Sequence, residues 1–413
     1  MAKAKQEAFG LNDLVDGLLE DLAKEQTSGR TITAGDLGQH TYGQIIPYIA
    51  AQYVVGGSNI IPNQRYVSVS GPEKSMKSTL LKEVGCWYQA AGGLYDDIDN
   101  EGGKTSASMF EAMSCWRSED LAKGRHLLTL TNSVEEWQNH ISAVVNKLKT
   151  RPIPEKGKRL PVFIAIDSLT GSGMQSSQEK ISEEGHAQAR SYDGAATANA
   201  VSQFIQNLNL RGTTVTIGTV RHQAQVIDDG ASGGYGPKIK ESGAKRVNYQ
   251  NSVNLRVSKI GTIDKAGHPS QHQDGPAVEG YTIKIVPEAS CLGSTVGRAL
   301  EVDVLWQYVL MPDGSRKQHM WYDWDGALGK LIWTFAYHPK LKRSEFEIDL
   351  LKKTLYFSAT GKDINCEELG LKGASHTEFG RKIRENPEVT KKIQDYLAIS
   401  RYPTLQEADI EVD

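Results

Sequence analysis

Between residues 60 and 305, short apolar runs of strand character alternate with stretches of helical spacing. Runs at 66–70, 94–99, 162–166 and 213–218 read as strands, and 78–91, 105–116, 133–148 and 187–210 as the helices between them. In the third helix Trp137, Ile141, Val144, Val145 and Leu148 share one face, and Ser133 stands where an N-cap belongs. Strand–helix–strand alternation predicts an α/β fold with a largely parallel central sheet covered by helices. Strands at 252–257 and 281–286 continue the sheet.

Outside that region the pattern changes. Leu11, Leu14, Val15, Leu18, Leu19 and Leu22 line one face of an otherwise acidic helix, which either packs on its own domain or docks on a neighbouring subunit. A helix is expected at 44–54. Strands at 304–310 and 318–324 flank Asp313-Gly314, a hairpin signal. From 344 to about 398 a helical period with charged faces predicts a small C-terminal helical domain. The expected organisation is an N-terminal arm for oligomerisation (1–58), a core (59–324) and that C-terminal domain (325–413).

Composition narrows the picture. Hydrophobic residues make up 39% and charged ones 23% of 413 residues, and no apolar run reaches the roughly 20 residues of a membrane span. The N-terminal MAKAKQEAFG leads into an acidic amphipathic segment rather than an apolar signal core, so a cytoplasmic protein is expected, without a membrane partner. Cys86, Cys115, Cys291 and Cys366 lie far apart and suggest neither a disulfide framework nor a zinc site. A net charge of -3 argues against bulk attraction to nucleic acid, while leaving room for a local basic loop.

The chemistry concentrates at VSVSGPEKSMKST. Gly71, Lys77 and Ser78 have the spacing of a phosphate loop between a strand and a helix. Backbone N–H groups at such a helix start hold phosphates, so the binding segment is Gly71, Pro72, Glu73, Lys74, Ser75, Met76, Lys77, Ser78 and Thr79. Lys77 adds charge at the phosphates, and Ser78 offers a hydroxyl to Mg²⁺. Met76 stands where the motif has its second glycine, so its side chain must turn away from the nucleotide. In PVFIAIDSLT an apolar strand ends in Asp167, which can support the metal. LYDDIDNEGG ends another strand with Asp96, Asp97, Asp99 and Glu101, any of which could orient an attacking water; Glu101 is the choice.

GPEKSMKST, DIDNE and FIAIDSL, in that order, resemble the RecA family of strand-exchange recombinases, most closely its bacteriophage branch, where a bulky residue often precedes the lysine. The resemblance runs from about residue 60 to 305 and implies a RecA-like P-loop ATPase core using ATP and Mg²⁺, with Glu101 as catalytic glutamate and Asp167 on the metal. It places DNA-binding loops near 169–190 and 222–246. In the second, Lys238, Lys240, Lys245 and Arg246 can neutralise phosphates and Tyr235 can stack on a base. The family's γ-phosphate sensor aligns with Thr219, with His222 three residues on, and Arg298 is the one cation where the family's interface cations fall. The implied function is ATP-dependent pairing of single-stranded DNA with a homologous duplex, on a homo-oligomeric helical filament. A ring-forming DNA helicase or motor, and a weakly hydrolysing scaffold filament, remain alternatives.

Overall fold

A computed structural model of the chain describes residues 43–45, 60–62, 65–90, 92–100, 124–131, 133–150, 160–169, 213–226, 238–241, 251–264, 278–290, 299–310, 316–336, 345–350, 353–360, 363–367 and 370–389, with isolated positions elsewhere. The 11–22 helix, Glu101, the 105–116 helix except Met113, residues 170–190 of the first expected DNA loop, Tyr235, Lys245, Arg246 and Arg298 lie outside the described residues.

A strand pair, β1 (Gly43–Ile45) with β2 (Ile60–Pro62), precedes the main sheet and occupies the start of the segment expected to be helical at 44–54, whose described positions Ala50, Ala51 and Val54 are helical. The main strands are β3 (Tyr66–Gly71), β4 (Leu94–Asp99), β5 (His126–Leu130), β6 (Val162–Asp167), β7 (Val215–Val226), β8 (Lys238–Glu241), β9 (Asn251–Asp264), β10 (Val278–Ser290), β11 (Leu300–Leu310) and β12 (Arg316–Asp323). They form one ten-stranded sheet in the order β12-β11-β10-β9-β3-β7-β6-β4-β5, with β8 paired to β7. From β9 to β5 every neighbour is parallel, and β9 to β12 run antiparallel. The fold is therefore a mixed α/β one with a large, mostly parallel sheet.

The apolar strands are central because both of their faces are covered. Along β6, Val162, Ile164 and Ile166 face one buried cluster, and Phe163 and Ala165 face the other. Helix α1 (Lys77–Ala90) is buried along most of its length. Helix α2 (Val134–Thr150) buries Val134, Trp137, Ile141 and Val145, the face its spacing predicts. The Ser133 hydroxyl accepts the Glu136 N–H at 3.4 Å, as an N-cap does. Of the described positions of the expected 187–210 helix, Ala200, Gln203, Phe204 and Asn207 are helical, and Leu208 and Leu210 are not. The expected hairpin of β11 and β12 also forms, with Leu310 paired to Arg316.

Two expectations are corrected. Strand β7 continues to Val226 instead of ending at 218, and β8 folds back on it with Gln223 opposite Glu241 and Val226 opposite Lys238. Residues 222–226 and 238–241 of the segment expected to be a polar loop thus form a β-ribbon, and polar residues there look like loop because their ladder partner is distant in sequence. The C-terminal part is not wholly helical either. After α3 (Trp324–Ala336), strands β13 (Glu345–Leu350), β14 (Lys353–Thr360), β15 (Asp363–Cys366) and β16 (Leu371–Ala374) form an antiparallel sheet before α4 (His376–Glu385). In EFEIDL the apolar positions alternate, a period of two that the surrounding charges disguise. Ile364, Phe379 and Ile383 join the cluster that covers α1, and Trp324 stacks with Tyr48 and Tyr322.

Candidate functional site: a phosphate loop and buried carboxylates

Parallel strands bring their carboxyl ends to one edge, where open α/β sheets bind ligands. At that edge lie Gly71 closing β3, Asp99 closing β4 and Asp167 closing β6, with Asp99 opposite Asp167 in the ladder. The Asn100 N–H donates to the Asp167 carbonyl at 2.9 Å and the Asn100 amide to the Ser168 carbonyl at 3.3 Å, which ties the two strand ends together. The Asp167–Ser168 peptide is cis.

The loop from Gly71 to Met76 is tightly constrained by its surroundings and its backbone. A Cβ on Gly71 would lie 2.1 Å from the Val257 carbonyl oxygen on β9, so no side chain fits there. Lys74 (φ 55°) and Met76 (φ 68°) are left-handed, and such residues alternating with others turn successive N–H groups toward one concavity. The Ser75 hydroxyl donates to the Pro72 carbonyl at 2.8 Å, and the Lys77 ammonium donates to the same oxygen. Helix α1 begins at Lys77, with the Leu80 N–H returning to the Met76 carbonyl at 3.0 Å. The half-buried Met76 side chain packs on the apolar cluster beneath the loop, so the side chain turns away as required. Pro72, Glu73 and Lys74 are exposed, Ser78 is half-buried and Thr79 is buried.

Asp167 is 3% exposed and its Oδ1 has no hydrogen-bond partner among the described groups. An unpartnered buried carboxylate oxygen is costly unless something else occupies it. With the Ser78 hydroxyl in the first turn of α1, it fits Mg²⁺ held jointly by protein and phosphates. Among the described residues no cluster of three or more His, Cys, Asp or Glu is arranged to hold a metal ion, and Mg²⁺ ordinarily takes one or two protein ligands together with phosphate oxygens and waters.

Behind Asp167 lies an arrangement that motif reading missed. Lys82, four residues after Ser78 and hence on the same helix face, donates to Asp97 Oδ2 at 2.9 Å and stands 3.7 Å from Asp167 Oδ2. Burial alone pushes the Lys82 ammonium down, but Asp97, Asp167 and Asp99 outweigh it and hold its pKa above the ordinary lysine value. On the opposite face of β4, Asp96 Oδ2 meets His140 Nε2 at 2.6 Å, and this hydrogen bond raises the histidine's pKa. A doublet of carboxylates inside an apolar strand was the available signal. Successive side chains face opposite sides, so each needs a cation from a different helix.

Register places the two sensor candidates. Thr219, in mid-strand, pairs with Ser68 on β3 and Ile166 on β6, and its buried hydroxyl has no hydrogen-bond partner among the described groups. His222 stands opposite Gly71, level with the phosphate loop. Lys238 and Lys240 lie on β8. No helix among the described residues is long and apolar enough to cross a membrane. No protein-family model matches the chain, and no curated protein matches it.

Proposed function

We propose that the chain is an ATP-binding DNA strand-exchange recombinase of the RecA family, of the bacteriophage type, acting as a homo-oligomeric filament on single-stranded DNA. One observation carries the nucleotide part of this reading. A glycine-bounded loop with left-handed residues at 74 and 76 opens α1 at the carboxyl edge of a parallel sheet, beside a buried Asp167 whose Oδ1 is unpartnered. The DNA part rests on the resemblance of the segments around the site.

In this reading the loop N–H groups and Lys77 bind the ATP phosphates, and water is excluded beneath them by the apolar cluster that seats Met76. Ser78 and Asp167 are the residues that would hold Mg²⁺, which when bound neutralises phosphate charge. Glu101 would orient the attacking water. The β7–β8 ribbon, continuous with the strand whose His222 stands opposite Gly71, links the nucleotide site to Lys238 and Lys240, the residues read as DNA-binding.

The test has two stages. Binding of a fluorescent ATP analogue should be strong in the wild type and lost in Lys77→Ala; no binding to the wild type sinks the whole reading. Strand exchange between a single strand and a homologous duplex should then require ATP. A protein that binds ATP and single-stranded DNA yet forms closed rings and exchanges nothing is a motor instead.

A further inference from the structure

Lys82 gives its close contact to Asp97, at 2.9 Å, and stays 3.7 Å from Asp167, beyond hydrogen-bond distance. All three side chains are buried, on α1, β4 and β6 respectively. Residue 97 is thus the ammonium's partner, and Asp167 has a positive neighbour without being capped by it.

We propose that Asp97 is a positioning residue that holds Lys82 off Asp167, so that Asp167 keeps its carboxylate available to a divalent cation at the phosphate loop. This rests on the reading of Gly71 to Ser78 and Asp167 as a nucleotide and Mg²⁺ site. The physical argument is competition. An ammonium in a buried site seeks the strongest acceptor within reach. Asp97 Oδ2 and Asp167 Oδ2 both lie within reach of Lys82 Nζ, and β4 and β6 are neighbouring strands in fixed register, Asp97 opposite Ala165 and Asp99 opposite Asp167. While residue 97 offers a carboxylate at 2.9 Å, Lys82 stays with it. When that charge is removed, Asp167 becomes the better acceptor, and the ammonium bonds the carboxylate that the metal needs. A buried lysine bonded to a metal ligand opposes the metal both by charge and by occupying an oxygen.

The arrangement also explains why a lysine is tolerated there. Three buried carboxylates, Asp97, Asp99 and Asp167, converge on this region, and a single ammonium reduces their mutual repulsion.

The experiment follows N-methylanthraniloyl-ATP fluorescence in the full-length protein while Mg²⁺ is titrated, with affinity in excess EDTA measured alongside. Asp97→Asn should raise the Mg²⁺ half-saturation about tenfold, the size expected when the support of a metal ligand is disturbed, with EDTA affinity unchanged. The decisive variant is the double Lys82→Met/Asp97→Leu, which replaces the buried pair by apolar residues of similar size, an exchange such sites often tolerate. With no ammonium left to move onto Asp167, its Mg²⁺ half-saturation should return to within about threefold of the wild-type value. A merely structural pair predicts the opposite order, with the double variant at least as impaired as the single. Wild-type Mg²⁺ dependence in Asp97→Asn, or no recovery in the double variant, overturns the proposal. Absence of any nucleotide binding by the wild type overturns the site reading beneath it, and the EDTA arm tells the two failures apart.

Discussion

The left-handed residues of the phosphate loop make a prediction that inverts a familiar ranking. At an ordinary position alanine is more stabilising than glycine, because glycine gives up more chain freedom on folding, about 0.4–1 kcal/mol. At φ 55° and 68°, Lys74 and Met76 instead carry the left-handed penalty of an L-residue, about 1–2 kcal/mol. Subtracting the two leaves glycine ahead of alanine by about 0.5–1 kcal/mol at both positions. Lys74 is exposed, so Lys74→Gly has little packing to lose and should stabilise the protein outright. Met76 is half-buried on the apolar cluster, and removing its side chain costs about 1 kcal/mol, half the burial value of a methionine. Met76→Gly should therefore be near neutral and Met76→Ala destabilised. Urea unfolding of the four variants without nucleotide measures this, with Asn139→Gly and Asn139→Ala, exposed positions in α2, as the control where alanine should win by about 1 kcal/mol. If alanine equals or exceeds glycine at 74 and 76, the loop is not left-handed there, and the convergent N–H cradle argued from it falls. Because the Met76 side chain faces the cluster, Met76→Gly should also leave ATP affinity within about twofold of wild type.

Other consequences are as direct. A Cβ on Gly218 would lie 2.4 Å from Phe163 Cζ and 2.7 Å from Leu81 Cδ1, so Gly218→Ala should cost about 1–3 kcal/mol by overpacking, read as a lower urea midpoint; an unchanged midpoint would mean that α1 is looser on β7 than described. Glu83 Oε1 accepts the indole N–H of Trp87 at 3.3 Å and of Trp324 at 3.1 Å, so Glu83→Ala should cost about 2–4 kcal/mol for two deserted donors and Glu83→Gln distinctly less. The two perturbed histidines near β4 act in opposite directions. The His140 pKa is raised by its bond to Asp96, so its stabilisation is complete below about 6.5 and is lost as pH rises through the folded value. The stability gap between wild type and His140→Gln should therefore shrink from pH 6 to pH 9. Burial lowers His126 to about 4, so the unfolded chain gains the proton first and stability falls from about pH 6.5 toward 4; His126→Phe should blunt that acid loss, and equal acid sensitivity in both proteins would refute it.

What the sequence made legible was whatever is local. The apolar run of β6, the Ser133 cap, the β11–β12 hairpin and the loop spacing all depend on neighbours within a few residues. What escaped depends on partners far along the chain. VRHQAQV at the end of β7 has too many polar side chains to read as strand, and only pairing with β3 as far as His222 and with the β8 ribbon beyond makes it one. EFEIDL and KTLYFSAT were hidden in the same way beneath charges shared with helical neighbours.

The carboxylates of β4 show how that blindness bears on function. Read along the chain, Asp96, Asp97, Asp99 and Glu101 are four equivalent candidates for the group that orients water. Folded, Asp96 turns to a part-buried hydrogen bond with His140 on α2 and Asp97 to a buried ion pair with Lys82 on α1, on opposite faces of the strand. A base must reach the phosphates, and a carboxylate pinned beneath the sheet face by a cation does not. The search contracts to the end of the strand, at Asp99 and Glu101. In the proposed reading Asp97 takes a different part, beside Asp167 rather than in the chemistry itself. A charge that looked redundant in the motif is one that a parallel sheet of this register cannot leave uncompensated.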